Sequence, residues 1–135
     1  MTRKILFVLI TIGVCISFFR ANAVEVNNVS IINLISTPDK YEGKFVRIFG
    51  FVKLEFEGTG IYLTEADLKN YLGKNGLWLE GVNSDQWGQY NGSLCLVEGI
   101  FDSKNTGHMG AWSGAIKNVS RIKVWKINQI ISKSP

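Results

Sequence analysis

From Phe45 to Phe56 the chain alternates with a period of two: Val46, Ile48, Val52, Leu54 and Phe56 share one parity, and Arg47, Lys53 and Glu55 share the other. Successive side chains of an extended strand point to opposite faces, so one face of this stretch is predicted to meet a core and the other to meet water. Gly50 falls mid-strand on the core parity, where a missing side chain leaves room for a sharp bend or a bulge. A strand this long that bends in its middle can serve two sides of one small barrel.

The rest of the chain supplies partners for it. Glu57-Gly58-Thr59-Gly60 reads as a tight turn into a second strand, Ile61-Tyr62-Leu63. Asn75-Gly76 turns into a third, Leu77-Trp78-Leu79-Glu80, and Asn91-Gly92 precedes a fourth, Leu94 to Phe101. Glu98 marks the wet side of that strand, which points Cys95, Val97 and Phe101 inward. In a fifth strand, Ala115 to Trp125, Ile116, Ile122 and Val124 share the core parity, opposite Lys117, Arg121 and Lys123. Short helices punctuate these strands. Ser30 caps Ile31 to Ile35, Pro38 sits at a first helical position before the terminator Gly43, and Ser84 to Tyr90 forms a single turn. Thr64 caps the best helix, which runs to Leu72 with Asp67 at the reciprocal capping position. Ser103 to Gly110 has no apolar periodicity and is a loop. The predicted class is mainly β: a small five-stranded antiparallel barrel with short helices, because closure removes exposed sheet edges.

Composition matters at the N-terminus. Arg3 and Lys4 precede the apolar run Ile5 to Phe19, and Ala21-Asn22-Ala23 follows it, the layout of a secretory signal peptide. The run is short for a membrane span, which needs roughly 20 residues. Val14 stands before Cys15 where lipid attachment requires a small residue. The expected organisation is therefore a signal peptide over 1–23, a polar leader over 24–29, an OB-like barrel domain over 30–126 and a tail over 127–135. The expected location is periplasmic or extracellular. Removing Arg3, Lys4 and Arg20 takes 15 basic residues to 12, against 11 acidic ones. That near-neutral balance excludes a strongly cationic nucleic-acid binder. Cys95 is left without a disulfide partner, and in Leu94-Cys95-Leu96-Val97 it reads as a small core hydrophobe.

Reactive chemistry finds little to stand on. A single His and a single core Cys do not make a zinc site, and no cofactor motif is present. Asp102, Asn105 and His108 share one loop but match no calcium-binding spacing; Asp and Asn there read as groups that bond their own backbone. Glu55 and Glu57 are two apart, and such pairs usually face water rather than a sugar cleft. No catalytic residue is assigned.

Certain stretches resemble known domains. Tyr41-Glu42-Gly43-Lys44-x-Val46-x-Ile48-x-Gly50-Phe51-Val52 and Val97-Glu98-Gly99-x-Phe101-Asp102 resemble the first and fourth strands of exported bacterial OB-fold domains. Phe56-Glu57-Gly58, Asn105-x-Gly107-His108-Met109-Gly110 and Ser113-Gly114-Ala115-Ile116 resemble, more narrowly, an uncharacterised family of exported bacterial OB-fold-like proteins, over Ser30 to Val124. The resemblance implies an OB-like barrel and no established activity. It also implies a helix between the third and fourth strands, whereas Thr64 to Leu72 lies between the second and third, which leaves either a miscounted strand or a variant barrel. OB domains bind ligands on strands two and three and the flanking loops. On that basis the expected ligand-binding residues are Tyr62, Trp78, Asn105, His108 and Trp112, with Lys117, Arg121 and Lys123 extending the surface. The expected function is an exported binding module for a small molecule, glycan or envelope protein. The alternatives are a small hydrolase or transferase using His108 and Asp102, or a structural interaction domain of the cell envelope.

Overall fold

The computed structural model describes residues 23–126. The proposed signal segment, apart from Ala23, and the tail over 127–135 lie outside the described residues. The elements run β1 (Asn27–Asn28), α1 (Ile31–Ser36), β2 (Phe45–Lys53), β3 (Gly60–Tyr62), α2 (Glu65–Lys69), β4 (Gly76–Leu79), α3 (Ser84–Trp87), β5 (Leu94–Asp102) and β6 (Ala115–Val124). Short 3-10 turns at Pro38–Lys40, Gly73–Asn75, Gly88–Tyr90 and His108–Gly110 link them.

Strands β2 to β6 close into a barrel in the order β2-β3-β4-β6-β5, with β5 returning to β2. The barrel is mixed rather than antiparallel, because β4 and β6 run parallel. The reason is arithmetic: around a closed ring, directions can alternate at every neighbour only if the number of strands is even. Five strands force one parallel seam. The strand count from the sequence holds, and the helix between the third and fourth barrel strands is the short α3 with the turn that follows it. Helix α2 is an additional element between β3 and β4, shorter than its sequence suggests. It ends at Lys69, and Tyr71 beyond it takes a left-handed φ of 55°.

The core follows the predicted parities. Val46, Ile48 and Val52 of β2 meet Ile61, Leu77, Leu79, Val97, Ile116 and Ile122, all buried. Cys95 is fully buried among them, and that burial pushes its thiol up to about 11. Ile31 and Leu34 of α1 turn into the same core; Ser30 caps their helix by accepting a hydrogen bond from the Asn33 N–H. Gly50 serves this packing. A Cβ there would lie 2.6 Å from Ile61 Cγ1 and 2.9 Å from Ile31 Cδ1. The ladder between β2 and β5 passes through Gly50 without a shift, and the irregularity sits instead at Glu98/Ile100, opposite β6.

The alternation of the first strand ends earlier than its pattern. β2 stops at Lys53, Leu54 is still buried, and Phe56 is 91% exposed rather than on the core side. Parity has meaning only while a residue is held in a ladder, and Glu57 at φ 56° has already turned the chain.

Candidate functional site

The outer face of β3 and β4 is the surface on which a ligand was expected. Cross-strand partners place Gly60 beside Trp78 and Tyr62 beside Gly76 on that face, while Ile61 and Leu77 point inward. The chain covers most of it with its own loop. A Cβ on Gly60 would lie 2.5 Å from Trp112 Nε1, so the glycine makes the space that the indole fills. Trp112 is 5% exposed and Tyr62 1%. Burial pushes the Tyr62 phenol up, with the nearby Glu55 charge adding to the rise. The buried indole N–H of Trp112 has no hydrogen-bond partner among the described residues.

Trp78 remains half-buried. Trp112 meets it edge-on, with ring centroids 4.9 Å apart and planes at 65°. Gly107 lies against it too: at φ 67°, a Cβ there would come within 2.9 Å of Trp78 Cγ and Cδ2. These contacts hold the indole in place and leave its uncovered part as a wall of a groove of about 330 Å³. Glu55, Phe56, Glu57 and Thr59 of the β2–β3 loop form one side of the groove, Gly81, Val82, Asn83 and Ser84 form the other, and Leu79 lies between.

The loop between β5 and β6 is tied down along its length. Asp102 Oδ1 accepts from the N–H groups of Lys104 and Asn105, and Oδ2 accepts from Lys117 Nζ at 2.9 Å. The Lys117 ammonium, with those backbone donors, holds the Asp102 carboxyl below its ordinary value against the opposing effect of burial. Asn105 donates to Glu80 Oε2 at 2.8 Å and accepts from the Gly107 N–H at 3.0 Å. Lys74 Nζ donates to the carbonyls of Gly110 and Trp112, and Ser113 Oγ donates to the Lys74 carbonyl. His108 reaches across to the other loop, its Nε2 3.5 Å from Glu57 Oε2.

Of the five expected ligand residues, the structure gathers Trp78, Asn105, His108 and Trp112 around one loop, but buries Tyr62 and Trp112. Asn105 is committed to holding the loop. Trp78 and the exposed His108 are the two a ligand could reach. His108 pairs with Glu57 and Asp102 with Lys117, so no bond joins the two residues of the hydrolase alternative. The basic stripe is largely spoken for: Lys117 meets Asp102, and Arg121 lies 3.7 Å from Glu98. Glu55, Phe56, Val82, Asn83 and Ser84 were missed as groove residues. Phe56 was the available signal, an aromatic at the mouth of a Gly-rich turn. Among the described residues no three His, Cys, Asp or Glu side chains converge to hold a metal ion. No helix among them is long and apolar enough to cross a membrane.

Neither a protein-family model nor a curated protein matches the chain.

Proposed function

We propose that this chain is an exported binding module that holds a small ligand, or an exposed group of a larger partner, in the groove beside Trp78. The observation that carries the reading is the immobilised, half-buried indole with open volume next to it. An aromatic wall whose own position is fixed by Gly107 and Trp112 loses little freedom when a ligand covers it. The groove volume lies at the lower end of the roughly 300–1,000 Å³ usual for small-molecule sites. Export rests on the charged, apolar and A-x-A order of residues 1–23.

Two measurements test the reading separately. N-terminal sequencing of protein from its native host should begin at Val24; an intact Met1 in a membrane fraction would refute export. Screening small molecules and glycans from the same host by the fluorescence of Trp78, assigned with a Trp78→Phe variant, should give saturable changes lost in that variant. Changes that survive the substitution would place binding elsewhere.

A further inference from the structure

We infer that the groove selects an alkylammonium group, carried by a lysine side chain or a free alkylamine; this inference rests on the binding reading above. The groove pairs an apolar stem site with an anionic mouth. Leu79 and Val82 are buried beneath it, Trp78 forms its wall, and Phe56 stands 91% exposed at its rim. The only ionisable side chains among its lining residues are Glu55 and Glu57, and none is cationic. A neutral sugar would gain from the aromatic wall and from hydrogen bonds, but it would bring no positive charge to the carboxylates at the mouth. A flexible methylene chain ending in an ammonium uses every part: apolar contact at the floor and along the indole, and a carboxylate at the mouth.

The carboxylates are not wholly consumed within the protein. Lys53 lies 3.3 Å from Glu55 Oε2, yet its ammonium also sits 3.6 Å from the Tyr71 ring centroid. Among the described residues Glu57 meets only His108, at 3.5 Å, and an imidazole offsets that charge only when it is protonated. Glu57 is also 53% exposed, so an incoming cation can approach it without first breaking a buried contact.

The test is titration of protein from its native host, followed by the indole N–H resonance of Trp78. The probes are n-butylamine, Nα-acetyl-lysine amide, the uncharged isostere Nα-acetyl-norleucine amide, and methyl glucoside. Both amines are expected to shift the resonance saturably, less at higher salt, while norleucine amide does not. Tighter binding of the lysine amide assigns the occupant to a peptide side chain, and tighter binding of butylamine assigns it to a free amine. Glu57→Gln should weaken amine binding about tenfold, which is about 1.4 kcal/mol. Because this side chain is exposed, the variant should melt with the parent; Trp78 substitutions serve only as a second check, since Gly107 and Trp112 pack on that ring. Binding of methyl glucoside or norleucine amide in place of the amines overturns the ligand class and leaves the binding site standing. Failure of every probe to move the Trp78 resonance, with a host extract equally silent, overturns both.

Discussion

Two outer faces of this barrel are covered in opposite ways. On the face of β2, β5 and β6, Glu98 lies between two guanidinium groups, 2.6 Å from Arg47 Nε and 3.7 Å from Arg121 Nη1, and is 8% exposed. Asn28 extends the cluster by accepting from Arg47. On the face of β3 and β4 the cover is aromatic: Gly60 admits Trp112, whose N–H has no partner among the described residues. The first cover pairs its buried carboxylate with cations and is made within the sheet. The second is borrowed from a distant loop, is polar-incomplete, and ends at a groove. The comparison teaches that burial on an outer face is not one property. A satisfied ion cluster seals a surface, whereas an aromatic plug built on glycine both seals one patch and holds the next aromatic in position.

Breaking the aromatic cover should have the largest effect. Gly60→Val places side-chain atoms where Trp112 Nε1 now lies and 3.1 Å from the Leu77 carbonyl, and should cost about 3 kcal/mol. Chemical denaturation measures the loss; an unchanged midpoint would mean that the loop sits loosely and the two covers do not differ as described. Removing Glu98 breaks the charged cover next. Glu98→Ala leaves Arg47 and Arg121 facing each other without the anion, and should cost about 2 kcal/mol, partly recovered when Arg121 is also neutralised. Strict additivity of the two substitutions would show that they do not share a site.

Acid distinguishes the covers by a smaller amount. The native Asp102 carboxyl is held below its ordinary value by Lys117 and backbone donors. Its contribution is therefore complete above the unfolded value of about 3.9, and is lost as pH falls through the lower native value. The pair is partly exposed, so the loss stays within about 1 kcal/mol. Melting curves of Asp102→Asn and the parent should converge at low pH; curves that stay parallel throughout would remove the carboxylate from the loop's support. The smallest effect is the most pointed. Trp112→Phe keeps a ring over Gly60 and removes the N–H but leaves a small cavity, so stability should fall by no more than about 1 kcal/mol. A loss of several kcal/mol, with the fold intact, would show that the indole's packing or its N–H contributes more than a cover over Gly60.

Much of the interior was legible in the sequence, and the cover was not. The parities of Val46, Ile48, Cys95, Val97 and Ile122 follow from local alternation, which a ladder preserves residue by residue. The caps at Ser30 and at Thr64 with Asp67 are equally local, and both form as expected. Phe56 misled because alternation carries no mark of where the ladder stops. Tyr62 and Trp112 looked like a binding face because their burial depends on contacts between segments far apart in the chain. Gly60 reads as part of a turn until the register sets it beneath Trp112. The groove was missed for a related reason: its two walls come from different connections, and neither has a motif of its own.

The parallel seam has a consequence for motion. β4 and β6 share only two registered positions, Trp78 with Ala115 and Leu79 with Ile116, while β2 and β5 share a continuous run from Phe45 to Phe51. Parallel pairing is slightly weaker per residue, and so short a contact has little cooperativity to protect it. The amides of Trp78 and Glu80, which bond to Gly114 and Ile116 across this seam, will take up deuterium earlier than those along the β2–β5 ladder. The wall of the groove is thus attached to the barrel's shortest seam, while the indole itself is held by Gly107 and Trp112.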